Sequence, residues 1–162
     1  MSLAQAGFIT GLIPLIGVAA VLAGGILPLR ISDKRIFFVI PGFLIGIGGL
    51  GSFLLESNIG IVASVLILGI GSWSYAPTLL SLPMGLKGMT PEKVAVVWGI
   101  FVTASGIGMF VSPIIVGAIR DYWGTFVPGF MIWAIGAWLL FIAGFALPPS
   151  VNDYSEVGRS EN

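Results

Sequence analysis

The sequence predicts an all-α integral membrane protein with five transmembrane helices, and three observations carry that prediction. Charged residues are 9% and hydrophobic residues 57% of the 162-residue chain, whereas soluble domains are about 25% charged. Five apolar runs, each close to or above the ~20 residues that cross a bilayer core, are separated by short polar segments. Glycine, 24 of 162 residues, is about twice its usual share. The glycines lie inside the apolar runs, as close helix–helix contact requires and as disorder does not.

Composition also narrows the chemistry. The chain has no cysteine and no histidine, which removes the usual zinc sites, thiol nucleophiles and Ser-His pairs. No cofactor is implied. A net charge of zero and the lack of a basic stripe give no reason to expect nucleic acid. The first residues lack the basic region of a secretory signal, so the spans themselves direct the chain to the lipid bilayer.

The first span covers residues 4–29. Gly7, Thr10, Gly11, Pro14 and Gly17 fall on one helical arc and predict a packing face, with a bend at Pro14. After the basic loop Arg30–Arg35, the second span, 36–55, carries a glycine cluster at Gly46, Gly48, Gly49 and Gly51. The short Glu56–Asn58 loop makes it an antiparallel hairpin with the third span.

That third span, 59–84, holds Ser64, Ser72, Ser74, Tyr75, Thr78 and Ser81. On a helical wheel all but Ser72 fall within an arc of roughly 120°. Hydroxyls on one stripe either line a protein or water cavity or bond back to carbonyls of their own helix. Pro77 frees a backbone carbonyl that a substrate or water could use.

The fourth span, 94–119, is expected to be the buried helix of the bundle. Thr90, Pro91 and Glu92 form a helix-start signal ahead of it. Gly99, Thr103, Gly106, Phe110, Pro113 and Gly117 share one arc, and Ser105, Gly108 and Ser112 lie nearly opposite, which predicts helical neighbours on both sides. The fifth span, 127–147, has no polar side chain beyond the indoles of Trp133 and Trp138 and reads as a lipid-facing helix. Residues 1–147 thus form one transmembrane domain. Pro148 and Pro149 end it, and residues 148–162 read as a disordered cytoplasmic tail.

Orientation follows from lysine and arginine. The loops after spans one and three contain Arg30, Lys34, Arg35, Lys87 and Lys93, while those after spans two and four contain only Arg120. The first set is therefore expected in the cytoplasm, with the N-terminus outside and the C-terminus inside. The expected location is the plasma membrane.

The segment Gly25-Ile-Leu-Pro-Leu-Arg30-Ile-Ser-Asp-Lys-Arg35 resembles the cytoplasmic motif Gly-x-Leu-x-Asp-Arg-x-Gly-Arg-Arg of the major facilitator superfamily of transporters. Gly25, Leu27, Arg30, Lys34 and Arg35 match in type; Leu29 stands in place of the aspartate and Ser32 in place of the second glycine. Ser105–Gly124 resembles that family's eleventh helix and the turn into its twelfth. Leu82–Lys87 is similar to the end of the tenth helix in nitrate/nitrite and cyanate-type porters.

The resemblance implies a partial C-terminal helical bundle, the five spans standing for helices eight to twelve. It implies gating-loop roles for Gly25, Arg30, Asp33, Lys34 and Arg35. It also implies a pathway lined by the first, third and fourth spans, the ones that hold most of the polar residues. Helix seven and the N-terminal half would then be absent. The expected partner is that missing part or a separately encoded one.

The function expected on this basis is that of a fragment of a secondary active transporter, moving a small solute by alternating access when complete. The pathway candidates are Thr10, Ser74, Tyr75, Thr78 and Thr103, whose hydroxyls could bond a substrate. No metal ligand is expected. The alternative is a small accessory or structural membrane protein with no pathway of its own. An intramembrane enzyme is disfavoured, because no span offers a histidine, cysteine or carboxylate as general base.

Overall fold

The computed structural model describes residues 2–31, 33, 35–86 and 88–147. Lys34, Lys87 and the tail expected over residues 148–162 lie outside the described residues. Every element among the described residues is helical, and five helices are long and apolar enough to cross a membrane. The chain is an all-α membrane protein.

Helix α1 (Leu3–Ile26) opens with a reciprocal cap: the Gln5 backbone N–H donates to Ser2 Oγ at 3.2 Å, and the Ser2 N–H donates to Gln5 Oε1 at 2.9 Å. The helix continues through Pro14 and ends in a single 3-10 turn, Leu27–Leu29. Helix α2 spans Ile36–Leu54. Helix α3 (Asn58–Ser74) is capped by Ser57, whose hydroxyl accepts from Gly60 N at 3.1 Å.

A short helix α4 (Ala76–Ser81) and a 3-10 turn at Pro83–Gly85 complete the third span. Helix α5 (Pro91–Trp123) begins at Thr90, whose hydroxyl accepts from Lys93 N, and has Pro91 in its first turn, as the sequence predicts. It ends at Gly124 with φ of 72°, a left-handed stop that favours glycine. Helix α6 covers Val127–Ala146.

The chain divides into two compact units. The first comprises the residues up to Thr78 together with those from Phe130 onward; the second is centred on Leu79–Gly129. In the first unit α3 packs between α1 and α2, and α2 packs between α3 and α6. Glycines set these approaches. A Cβ built on Gly48 would lie 2.6 Å from Leu68 N and 2.7 Å from Ser64 O, so side chains are absent where the α2 and α3 backbones nearly touch. On the other side of α2, a Cβ at Gly46 would lie 2.7 Å from the Trp138 ring, and a Cβ on Gly144 of α6 would lie 2.7 Å from Val39. Small residues substitute here for the hydrophobic driving force that a lipid solvent does not supply.

Three expectations change. The packing face of α1 is Ile13, Gly17, Ala20 and Gly24: Ile13 meets Gly69, Gly17 meets Trp73 and Gly24 meets the Ser74 backbone. Gly7 and Gly11 meet nothing within 4 Å. Of the predicted arc only Gly17 belongs: Asn58 and Val62 of α3 do run beside the first turns of α1, but at 100° per residue Gly7, Gly11 and Pro14 point about 100° or more away from the Ile13–Gly24 face. Second, α6 is not purely lipid-facing. Ala134 is 6% exposed, and Trp138 and Phe141 pack against Phe43 of α2 with ring centroids 5.9 and 6.1 Å away. Its opposite face, with Ile135, Leu139 and Ile142, is exposed.

Third, α5 is not buried. No residue of that helix is buried, and a Cβ at Gly99, Gly106, Gly108 or Gly117 would meet nothing within 4 Å. Within its own unit both small-residue faces are open. Within the second unit the close approach at this end of the molecule is at the α5–α6 turn, where a Cβ at Gly129 would lie 3.2 Å from Val116.

Candidate functional site

The third span is distorted at one residue. Proline at position 77 has no N–H to offer and its ring crowds the preceding turn, so the helix cannot continue through it unaltered. Accordingly α3 ends at Ser74 and α4 starts at Ala76, a local distortion at Tyr75, whose backbone stays right-handed helical (φ −83°, ψ −17°), so that Asn58–Gly85 runs on as one span. Distorted turns that free main-chain groups inside a membrane are tolerated where protein or a cavity surrounds them.

Here α1 supplies that surround: its Gly24 lies directly against the Ser74 carbonyl, and Gly25 lies 4.0 Å from Pro77 when given a Cβ. Thr78, one turn beyond the distortion, is 2% exposed, and Ser74 and Tyr75 are half-buried. The Ser74 hydroxyl lies 3.5 Å from the Gly71 carbonyl, a long contact with its own helix.

The structure brings Ser74, Tyr75 and Thr78 together here, while Thr10 of the same unit lies apart from them. Thr10 is exposed and donates to the Ala6 carbonyl at 2.9 Å. It lies seven positions before Gly17, the residue that meets Trp73, about 10 Å along the helix axis. Thr103 lies on α5 in the second unit, exposed, and donates to Gly99 O at 2.8 Å.

The hydroxyl stripe of the third span also divides. Ser64 is 6% exposed and packs against Gly48 and Gly51 of α2, whereas Ser74 abuts α1. Ten residues at 100° each leave the two about 80° apart, enough to address two different neighbours. Ser81 is exposed.

The basic loop has a defined geometry at its end. The Arg35 N–H donates to Asp33 Oδ1 at 3.0 Å, which leads the chain into α2. The Arg35 guanidinium, through Nε, donates to the carbonyl of Leu147 just past the end of α6. A cation at the carbonyl end of a helix meets both unpaired acceptors and the negative end of the dipole. Arg30 is exposed, and Gly25 sits beside the third-span distortion. The loop candidates are thus split between the distortion and the end of α6, with Lys34 outside the described residues.

Sequence reasoning missed the α2–α6 contact and the Arg35–Leu147 link. The glycine spacing Gly42, Gly46, Gly49 along α2 was the available signal for the first. Nothing in the sequence marked Leu147 as an acceptor. Among the described residues no group of acidic, histidine or cysteine side chains could hold a metal ion. No family model matches the chain, and no curated protein or solved structure matches it.

Proposed function

We propose that the chain is the C-terminal part of a secondary active transporter of the major facilitator superfamily, carrying a small solute in company with a seven-helix remainder. The observation that supports this reading is the distortion of the third span at Tyr75, with half-buried Ser74 and Tyr75 and buried Thr78 gathered beside α1. A proline-distorted turn carrying half-buried hydroxyls is one way for a membrane helix to offer polar side chains to a substrate within the bilayer.

In this reading Ser74, Tyr75 and Thr78 face the pathway. Thr103 and Thr10 line it once the remaining helices are in place, and the loop Gly25–Arg35 belongs to the cytoplasmic gate. The N-terminus is outside and the C-terminus in the cytoplasm of a cell with this protein in its plasma membrane.

A second reading, an accessory membrane protein without a pathway, is favoured by one observation. The hydroxyls of Thr10, Ser52 and Thr103 all donate to carbonyls of their own helices, at 2.9, 2.7 and 2.8 Å, as packing residues do.

The absence of native cysteine makes the test direct. Single cysteines are placed at Ser74, Tyr75, Thr78 and Thr103 and treated with a membrane-impermeant thiol reagent in native membranes, with Leu139→Cys as the lipid-facing control. Transporter function predicts labelling at positions 74, 75 and 103 well above the control. Labelling at all of them no faster than at position 139 sinks it in favour of the accessory reading. Cysteines at Ser57 and Asp33 report orientation: the first should react in intact cells, the second only after permeabilisation.

A further inference from the structure

Between α2, α3 and α6 lies a cavity of about 390 Å³. Gly49, Leu68, Ala134 and Ala137 line it, Phe53 and Phe130 stand at one end with ring centroids 6.0 Å apart, and it is open to the surroundings where Phe130 and Trp133 are exposed. We propose that this cavity binds one acyl chain of a bilayer phospholipid, a site independent of any transport pathway.

Three observations carry it. The first is that the room is not a by-product of helix packing. A Cβ at Gly46 or Gly48 would collide with the neighbouring helix at 2.6–2.7 Å, but a Cβ at Gly49 would meet Ala134 Cβ at an ordinary 3.6 Å. Helix α2 therefore does not need glycine at position 49 in order to approach α6; the missing side chain leaves the cavity open instead.

The second is that the lining offers a ligand almost no polarity. The Ser52 hydroxyl, which borders the cavity, is turned back to the Gly49 carbonyl at 2.7 Å, and the remaining polar group on the wall is the indole of Trp133. A sugar, ion or amino acid placed there would lose its hydration without compensation, whereas hydrocarbon loses nothing.

The third is length. The cavity follows α2 from Ile45 to Phe53, eight steps of 1.5 Å or about 12 Å. One leaflet of a bilayer core is about 15 Å thick. Phe53 lies in the last turn of α2 and Phe130 in the first turn of α6, so the aromatic end is at the membrane face and the Ile45 end near mid-bilayer. A chain entering beside Phe53 and Phe130 from a headgroup at that face would fill the cavity down to Ile45.

The test combines retention and quenching. The chain, purified in mild detergent, is examined by native mass spectrometry for bound phospholipid, beside Ala137→Phe, which places a ring in the cavity. The proposal expects one retained phospholipid per chain and at least a tenfold loss of it in the variant. In vesicles of phosphatidylcholine brominated along its chains, tryptophan quenching of the parent is compared with that of Trp133→Phe. The proposal expects Trp133, itself 43% exposed beside the cavity, to supply the most strongly quenched component, exceeding Trp123 at 65%. Lipid retention that survives in a folded Ala137→Phe chain overturns the proposal. So does a Trp133 component quenched no more than Trp123, which is the result if a protein segment fills the cavity; this second measurement decides should Ala137→Phe fail to fold.

Discussion

Helices α2 and α5 are built from the same material and used in opposite ways. Both are apolar and both are studded with glycine: positions 42, 46, 48, 49 and 51 in α2 and positions 99, 106, 108 and 117 in α5. In α2 the absent side chains are where α3 and α6 come in, and added Cβ atoms at Gly46 and Gly48 would sit under 3 Å from neighbouring atoms. In α5 they face open space.

Each glycine in a helix interior costs about 1 kcal/mol relative to alanine in water. In α2 that cost is offset by close packing, whereas in α5 nothing in the described structure offsets it. A run of small residues therefore states that a backbone can be approached closely, not that it has been.

The contrast is open to attack, most strongly at Gly48. Its α3 neighbours are the backbone atoms Leu68 N and Ser64 O, which cannot rotate away. Gly48→Ala should cost about 1–3 kcal/mol of stability by overpacking, and Gly48→Leu should prevent recovery of folded protein; thermal unfolding in detergent measures the first and yield of monodisperse protein the second. The matching change in α5, Gly108→Leu, should leave the unfolding midpoint of the isolated chain within a few degrees. On the transporter reading it would abolish assembly with the remaining helices, visible as lost co-purification. A large loss of stability from Gly108→Leu would show that α5 is packed after all and erase the contrast.

Smaller effects refine it. Arg35→Gln removes the guanidinium from the Leu147 carbonyl, and the end of α6 should lose about 0.5–1 kcal/mol of local stability. Faster amide exchange over residues 143–147, with the α3 core unchanged, is the expected result. Thr90→Ala removes the cap of α5, whose contact with Lys93 N is long at 3.5 Å. Fraying of the first turn alone, worth about 0.5 kcal/mol, should be seen by the same exchange measurement.

Local features of this fold were legible because they depend on neighbours in sequence. Thr90 and Pro91 announced the start of α5, and Pro77 announced a freed carbonyl in the third span, though not that α3 would end at Ser74. The Glu56–Asn58 segment announced a hairpin whose antiparallel pairing of Gly48 with Leu68 and Gly71 with Ile45 is present. The faces of α1 and α6 were not legible. In α1 the arc through Gly7, Thr10 and Pro14 looked as good as the true one through Ile13, Ala20 and Gly24. The candidate site was half legible: Ser74, Tyr75 and Thr78 do gather, but the wheel that grouped them with Ser64 carried no information on which neighbour each hydroxyl would meet.

The sequence by itself determined that the chain is helical, that five segments are long and apolar enough to cross a membrane, and where most of them start and stop. Those properties follow from side-chain hydropathy, from proline's missing N–H and from caps that close on residues three positions away. Only the tertiary structure decided that α2 lies between α3 and α6, that α6 docks on it, and that Arg35 ties the first loop to the end of the last helix. The physical reason is the solvent. Lipid is as apolar as leucine, so a membrane helix does not write its buried face as a hydrophobic stripe. Which small residues find a partner is settled by the meeting of two backbones distant in sequence.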